Sequence, residues 1–282
     1  MLSYRHAFHA GNHADVIKHL VLVLTLDYYK SKDKPFFYLD THAGSGSYKL
    51  SASTAQRTRE YESGILPVWQ AANNAPAELQ SYLHAIRQLN GNAQTLQHYP
   101  GSPWLAAQLL RPADQLRLFE LHPSDYQALK QGFGADKRTQ IRKEDGLAGL
   151  IGLLPPVTRR AVTLIDPSYE LKEDYANVVS ALAKAHKRFA TGTYLLWYPV
   201  ITRQRVRQMA RALQQAAIPD VIQIELCTSA DNEQLGMTGS GLFVVNPPWQ
   251  LTRQMQNALP WLAQRMADSS GHFGVQRITP EQ

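Results

Sequence analysis

The chain has 282 residues, 44% of them hydrophobic, which suits one large domain or one domain carrying an insertion, with a sizeable core. No stretch approaches the roughly 18 apolar residues of a membrane span, the first residues lack the apolar core of a signal peptide, and the single cysteine, Cys227, excludes an intramolecular disulfide and a cysteine-rich zinc site. A formal charge of +6 and a pI near 9.3 favour an anionic partner, nucleic acid being the commonest large one, and the expected location is cytoplasmic.

Residues 4–19, Tyr-Arg-His-Ala-Phe-His-Ala-Gly-Asn-His-Ala-Asp-Val-Ile-Lys-His, contain four of the ten histidines and lead into a helix. Asn12 is a fair N-cap, and over residues 14–29 the apolar positions Val16, Ile17, Leu20, Val21, Leu24 and Tyr28 keep helical spacing. Lys18 and His19 fall at the polar border. His9 and His13 have the spacing of a shared metal, but no acidic or cysteine partner completes a set, and no metal is expected. An aromatic, basic, histidine-rich arm suits contact with a ligand or a nucleic acid; the plain alternative is a solvated arm.

An apolar strand then ends at Asp40 and runs into Thr41-His42-Ala43-Gly44-Ser45-Gly46-Ser47, a glycine loop of the kind that brings backbone against a cofactor. A P-loop would close on Gly-Lys-Ser/Thr, which is absent. A dinucleotide fingerprint needs a small residue where Lys49 stands and a ribose-binding acid ending a second strand; Glu60 and Glu62 are at the right distance, yet no apolar strand precedes them. What remains is the looser Asp-x-x-x-Gly-x-Gly loop used by Rossmann-like methyltransferases for S-adenosylmethionine.

Residues 50–100 are polar and rich in alanine and glutamine, with helical stretches at 57–71 and 77–89 and loop signals at Asn73-Asn74 and Asn90-Gly91-Asn92. They read as a small helical subdomain inserted between residues 1–49 and 101–282. Its arginines Arg57, Arg59 and Arg87 face either nucleic acid or solvent.

The α/β pattern resumes with Ser102 as an N-cap and Pro103 at the first helical position. The strand 115–122 carries Glu120, whose carboxylate has the position that accepts from two ribose hydroxyls. The next unit, 139–147, has Asp145 at its tip, able to accept from an adenine amino group, with Gly146 letting backbone approach. Each acid taken singly is equally a helix cap, but three successive strands ending at Asp40, Glu120 and Asp145 point to a nucleoside cofactor.

Thr163-Leu164-Ile165-Asp166-Pro167-Ser168-Tyr169 reads as a buried strand stopped by a proline, which lacks the N–H that would extend a ladder. Ligands of open α/β sheets bind beyond the carboxyl ends of the strands, where Asp166 and Tyr169 stand. A helix at 171–189, a strand at 193–200, a basic helix at 202–216 with Arg203, Arg205, Arg207 and Arg211, and strands at 221–227 and 241–245 follow. The basic helix suits either phosphates or solvent. Cys227 reads as a buried structural thiol. Asn246-Pro247-Pro248-Trp249 matches the Asp/Asn-Pro-Pro-aromatic motif of amino-group methyltransferases better by spelling than residues 166–169 do. That motif belongs after the fourth strand, however, and 246–249 follow the seventh, which favours Asp166.

These residues resemble the RlmJ family, the 23S ribosomal RNA adenine-N6 methyltransferases. The similarity runs from the arm at residues 4–19 through Asp-x-His-Ala-Gly-x-Gly to Gly-Leu-Phe-Val-Val-Asn-Pro-Pro-Trp at 241–249. The resemblance implies a class I (Rossmann-like) methyltransferase fold, a seven-stranded mostly parallel sheet with an inserted helical subdomain. It also implies a monomer that acts on protein-free 23S RNA with S-adenosyl-L-methionine and no metal. Matched by motif, cofactor contacts fall on His19, His42, Gly44, Ser102, Glu120, Asp145, Gly146 and Asp166. The substrate contact falls on Tyr4, with His6 beside it. The family's Asp-Pro-Pro-Tyr is Asp166-Pro167-Ser168-Tyr169 here, and Ser168 loosens the loop so that rate suffers more than binding.

The chemistry expected is that Asp166 and the Pro167 carbonyl each accept one N6–H of an adenine, turning the nitrogen lone pair toward the methyl group. Tyr169 is expected to stack on the base, which has left its own stack. The other readings are a non-catalytic nucleic-acid-handling protein serving the use of external DNA, and a methyltransferase of DNA adenine or of protein amide.

Overall fold

A computed structural model describes residues 4–91, 93–232, 234 and 236–281; Asn92, the last residue of one expected loop signal, lies outside them. Asn12 caps α1 (His13–Lys30) as expected, its side chain accepting from the Asp15 N–H. The strand β1 (Phe37–Asp40) is buried at every residue, as a central parallel strand covered on both faces must be.

The chain then leaves the sheet through β2 (Ser47–Lys49) and returns through β3 (His98–Pro100), an antiparallel ribbon with Tyr48 opposite Tyr99. Between them lie α2 (Ser53–Thr58), α3 (Ile65–Gln70) and α4 (Gln80–Leu89). The expected long helix at 57–71 is thus two short ones: Arg59 adopts a left-handed conformation, φ 53°, that ends α2, and a 3-10 turn, Glu60–Glu62, follows. Ile65, Val68, Tyr82, Leu83 and Ile86 share one apolar core with α1.

After the ribbon come α5 (Ser102–Leu109), β4 (Gln115–Phe119), α6 (Pro123–Phe133), β5 (Thr139–Arg142), α7 (Gly146–Leu153) and β6 (Ala161–Ile165). They are followed by α8 (Asp174–Arg188), β7 (Thr193–Val200), α9 (Arg203–Gln215), β8 (Val221–Cys227), β9 (Gly239–Val245), α10 (Leu251–Met266) and β10 (His272–Thr279). Ser102 is the first helical residue of α5, not its cap; Gly101 holds the cap position.

One sheet has the order β10-β8-β9-β7-β6-β1-β4-β5. Pairings from β7 to β5 are parallel, and β9 and β10 run against their neighbours. This is the doubly wound class I methyltransferase arrangement, with eight strands instead of seven. The additional strand, β10, pairs antiparallel to β8 at the sheet edge and is mostly exposed, so it lacks the apolar run that marks the inner strands.

Alternation along the strands splits the core in two. Tyr38, Leu118 and Leu164 face α1, α5 and α10, while Leu39, Phe119 and Ile165 face the layer of α7, α8 and α9. Cys227 is buried, as expected. Among the described residues no helix is long and apolar enough to cross a membrane.

Candidate active site

A cavity of about 910 Å³ opens beyond the carboxyl ends of the parallel strands. Three segments meet there because β1 is the central strand: the glycine loop after it, the turn after β4, and Asp166 after β6. Asp40 pairs with Leu164, so Asp166 projects two residues past that pair.

The glycine loop is fastened by backbone on both sides. Ala43 N–H donates to the Phe119 carbonyl at 2.8 Å, and Gly44 N–H to Glu120 Oε2 at 2.7 Å. Gly44 has φ +62°, and a Cβ there would meet the Tyr48 hydroxyl at 2.4 Å, so the position admits only glycine without a shift. Gly146 is tighter still, its Cβ position lying 2.0 Å from the Thr41 carbonyl oxygen. The glycine therefore seats α7 against the loop after β1.

Of the three acids, Asp40 does not line the cavity. Its Oδ2 accepts from the Tyr38 and Ser102 hydroxyls, each at 2.7 Å, and burial pushes its carboxyl up to about 6. Ser102 thus spends its hydroxyl on Asp40 rather than on a helix end. Glu120 lines the cavity with each carboxylate oxygen accepting one backbone N–H, from Gly44 and from His122. Asp145 also lines it, and its Oδ1 caps α7 by accepting from Leu147 and Ala148 N–H. Cap and cavity residue are here the same carboxylate, and its Oδ2 accepts no hydrogen bond from the described residues.

The opposite wall comes from the arm and α1. Lys18 Nζ lies 2.7 Å from Asp166 Oδ2 and 2.8 Å from Asp15 Oδ1, with all three side chains largely withdrawn from water. Burial works against the ammonium, but the two carboxylates raise its pKa above the ordinary value. Burial raises the Asp166 carboxyl, and Lys18 opposes that rise. Asp166 Oδ1 accepts no hydrogen bond from any described residue. Asp15 also meets His6 Nε2 at 2.9 Å, and the hydroxyl of Tyr4 meets His6 Nδ1 at 2.9 Å.

His19 and His42 both line the cavity as expected, and burial keeps each neutral at physiological pH, at about 3 and about 4 respectively. His19 Nδ1 is engaged by the Tyr99 hydroxyl at 2.8 Å, which is itself bonded to Tyr82 of the inserted segment.

Every expected cofactor residue therefore borders the one cavity, as do Tyr4 and His6. Tyr169 does not. It takes a left-handed φ of 53°, buries its ring against Tyr175 and Trp197, and donates its hydroxyl to the Trp197 carbonyl at 2.6 Å. The aromatic rings presented to the hollow are Tyr4, Tyr48 and Trp197, with the Lys18 ammonium 5.7 Å above the last.

Asn246 is remote from the cavity. β9 runs against β7, Val245 pairs with Tyr194 at the amino end of β7, and Asn246 follows at the far edge of the sheet. There its Nδ2 donates to the Ala190 and Gly192 carbonyls, both at 2.7 Å, at φ 49°. Asn246-Pro247-Pro248-Trp249 does not border the cavity.

Arg203 departs from the expected basic face. Its guanidinium lies 2.6 Å from Glu225, 3.4 Å from Cys227 Sγ and 3.1 Å from His272 Nε2, and pairs with Asp231. It thereby fills the centre of the one His/Cys/carboxylate cluster of metal-ligand type among the described residues. A second hollow of about 210 Å³ adjoins the cavity, sharing Tyr48 and Asp125 and bordered by Arg5 and Lys49. Neither of these cations pairs with a carboxylate among the described residues.

Sequence reasoning missed Lys18, which it left at a helix border, and Trp197. Lys18 stands beside Asp15 and His19 on the helix, and only the fold brings Asp166 against it.

Comparison with known proteins bears on this geometry. A family model described as ribosomal RNA large subunit methyltransferase D, RlmJ, matches residues 33–279. The chain is 51% identical over 282 residues to ribosomal RNA large subunit methyltransferase J of Escherichia coli (strain K12), covering all of both chains. It is 46% identical, again over the whole of both, to the protein of the same name from Haemophilus influenzae. A crystal structure of protein LPL1258 from Legionella pneumophila superposes with a TM-score of 0.89 at 39% identity, covering 95% of this chain and 98% of that one.

Proposed function

The chain belongs to the RlmJ family of ribosomal RNA large subunit methyltransferases, and from that membership we propose that it methylates N6 of an adenine in protein-free 23S ribosomal RNA with S-adenosylmethionine. It is an rRNA methyltransferase; the base, the atom and the donor are what the residues argue. The observation that carries the reading is Asp166 at the end of β6. One of its oxygens is held by Lys18 and the other accepts from no described residue, in a cavity also bordered by Glu120 and Asp145.

The donor set fits a nucleoside cofactor. Glu120 would accept from ribose hydroxyls, Asp145 from an adenine amino group, and the glycine loop at Gly44, with Gly146 behind it, gives a wall without side chains. His19, His42 and Ser102 would complete the cradle. Bound there, S-adenosylmethionine supplies a methyl group on a positively charged sulfur.

The residues of the chain do the rest. The lone pair of an adenine N6 is delocalised into the ring, so the amine is a poor nucleophile. Asp166 Oδ1 and the Pro167 carbonyl would each accept one N6–H, fixing the direction of the lone pair; alignment of this kind supplies several kcal/mol. Lys18 keeps the carboxylate ionised and fixed in rotation, and Asp166 can take the proton released. A base entering the cavity must leave its stack, at a cost of a few kcal/mol. Tyr4, Tyr48 and Trp197 offer rings in return, with stacking worth roughly 1–3 kcal/mol per base. Arg5 and Lys49 beside the entrance suit phosphates of the flanking strand, which favours RNA over an amide in a protein.

Incubation with labelled cofactor and separate pools of protein-free ribosomal RNA, DNA and protein tests this. Label is expected in adenine N6 of the RNA alone. Label in DNA or protein with none in RNA would overturn it, and failure to bind S-adenosylmethionine in calorimetry would favour the non-catalytic alternative.

A further inference from the structure

We propose that Glu60, in the inserted segment, is a positioning residue that sets Tyr4 for the RNA substrate by holding His9 and Asn12. The inference rests on the reading of Tyr4 as a substrate contact.

Glu60 Oε1 meets His9 Nδ1 at 2.8 Å, and Oε2 accepts from Asn12 Nδ2 at 2.9 Å. One carboxylate thus spans the arm and the cap of α1. The His9 ring lies flat on Tyr4, with centroids 5.5 Å apart and planes 5° from parallel. The contact is transmitted further: Tyr4 to His6, His6 to Asp15, Asp15 to Lys18, Lys18 to Asp166. The same stretch is also clamped through its own backbone. The Thr58 hydroxyl donates to the Phe8 carbonyl, Ile65 N–H donates to the Gly11 carbonyl at 2.8 Å, and Gly64 admits no Cβ because the Gly11 carbonyl oxygen would lie 2.2 Å from it. The insertion therefore grips residues 8–12, and Tyr4 and His6, which precede them, line the cavity.

The His9–Glu60 pair is about one-third exposed on each side, 36% and 33%. Such pairs add little to stability. The clamp on the fold is the backbone; what the Glu60 carboxylate adds is the orientation of His9, and through it of Tyr4. A role in positioning is thereby separable from a role in folding.

The test is steady-state methylation of protein-free 23S RNA by the full chain and by Glu60→Ala, Glu60→Gln, Tyr4→Ala and Glu60→Ala/Tyr4→Ala, with S-adenosylmethionine affinity measured by calorimetry. Glu60→Ala is expected to raise KM for RNA about fivefold or more, with kcat and cofactor affinity changed less than about twofold. Glu60→Gln keeps a single acceptor oxygen and falls between. Tyr4→Ala should cost less in the Glu60→Ala background than alone. An unchanged KM, or full additivity with Tyr4→Ala, overturns the proposal. So does a loss of cofactor affinity in both Glu60 variants, which marks a merely structural role. If the unsubstituted chain does not methylate the RNA, the reading of the substrate fails, and this inference falls with it.

Discussion

The Lys18 ammonium lies 2.7 Å from Asp166 Oδ2, joining the first helix to the end of the fourth sheet unit across 148 positions of sequence. It is the interaction on which the charge state of the proposed catalytic carboxylate turns. Burial raises the Asp166 pKa above the ordinary value and Lys18 pulls it back. Transfer requires the ionised form, so activity is lost as pH falls through that raised pKa. Lys18→Met removes the opposing cation, and the acid limb of kcat should move to higher pH. The substitution also leaves Asp15 and Asp166 buried without their partner, a destabilisation of roughly 3–5 kcal/mol. A pH–rate profile and thermal unfolding check both; an unmoved limb would remove Lys18 from the account.

Asp166→Ala should abolish methyl transfer while largely retaining cofactor affinity. Asn246→Ala is the matched control. At the far edge of the sheet it loses two hydrogen bonds to the Ala190 and Gly192 carbonyls, a destabilisation of roughly 1–3 kcal/mol, with turnover at permissive temperature preserved. Single-turnover methylation and melting curves distinguish the two, and the reverse pattern would exchange their roles.

Gly146→Ala would set a methyl group 2.0 Å from the Thr41 carbonyl oxygen. Neither partner is a flexible side chain, so α7 must shift away from the loop after β1. Cofactor affinity is expected to fall at least about tenfold, since a small misplacement of binding groups is costly. Calorimetry on the folded variant reads this directly.

Tyr169→Phe tests the ring that turned away from the cavity. It loses only the hydroxyl bond to the Trp197 carbonyl, worth about 1 kcal/mol, and should leave KM for RNA unchanged. A rise of several-fold in that KM would return Tyr169 to the substrate. Trp197→Ala, by contrast, strips a ring from the wall and should raise it.

The inner half of the fold was legible because its signals are local. Asn12 caps α1, and β1 and β6 are short apolar runs cut off by Asp40 and by Asp166-Pro167. Strand order follows from the α/β alternation, and with it the position of Asp166 at the cavity and of Asn246 away from it. What escaped depended on distant partners or on weak patterning. β10 is an edge strand with few buried residues, and α10 carries Pro260 inside it, which reads as a break. Ser102 has a cap's sequence, but Asp40 captures its hydroxyl. Tyr169 sits in a motif whose aromatic ring was expected to face a base, and only tertiary packing turns it inward. Lys18 is indistinguishable from a border lysine until residue 166 is brought beside it.

The central strand has a history in time as well as a place in space. β1 is made before either of its two neighbours in the sheet, β4 and β6, which begin at Gln115 and Ala161. Until those residues are made, Phe37 to Leu39 have no strand to lie against, and α1 carries an ion pair that still lacks its third member. Pairing of such long range slows folding. The inserted helices, which share a core with α1, are synthesised in the interval. The apolar flank of α1 that they cover is therefore closed by segments nearer in sequence than the strands that flank β1.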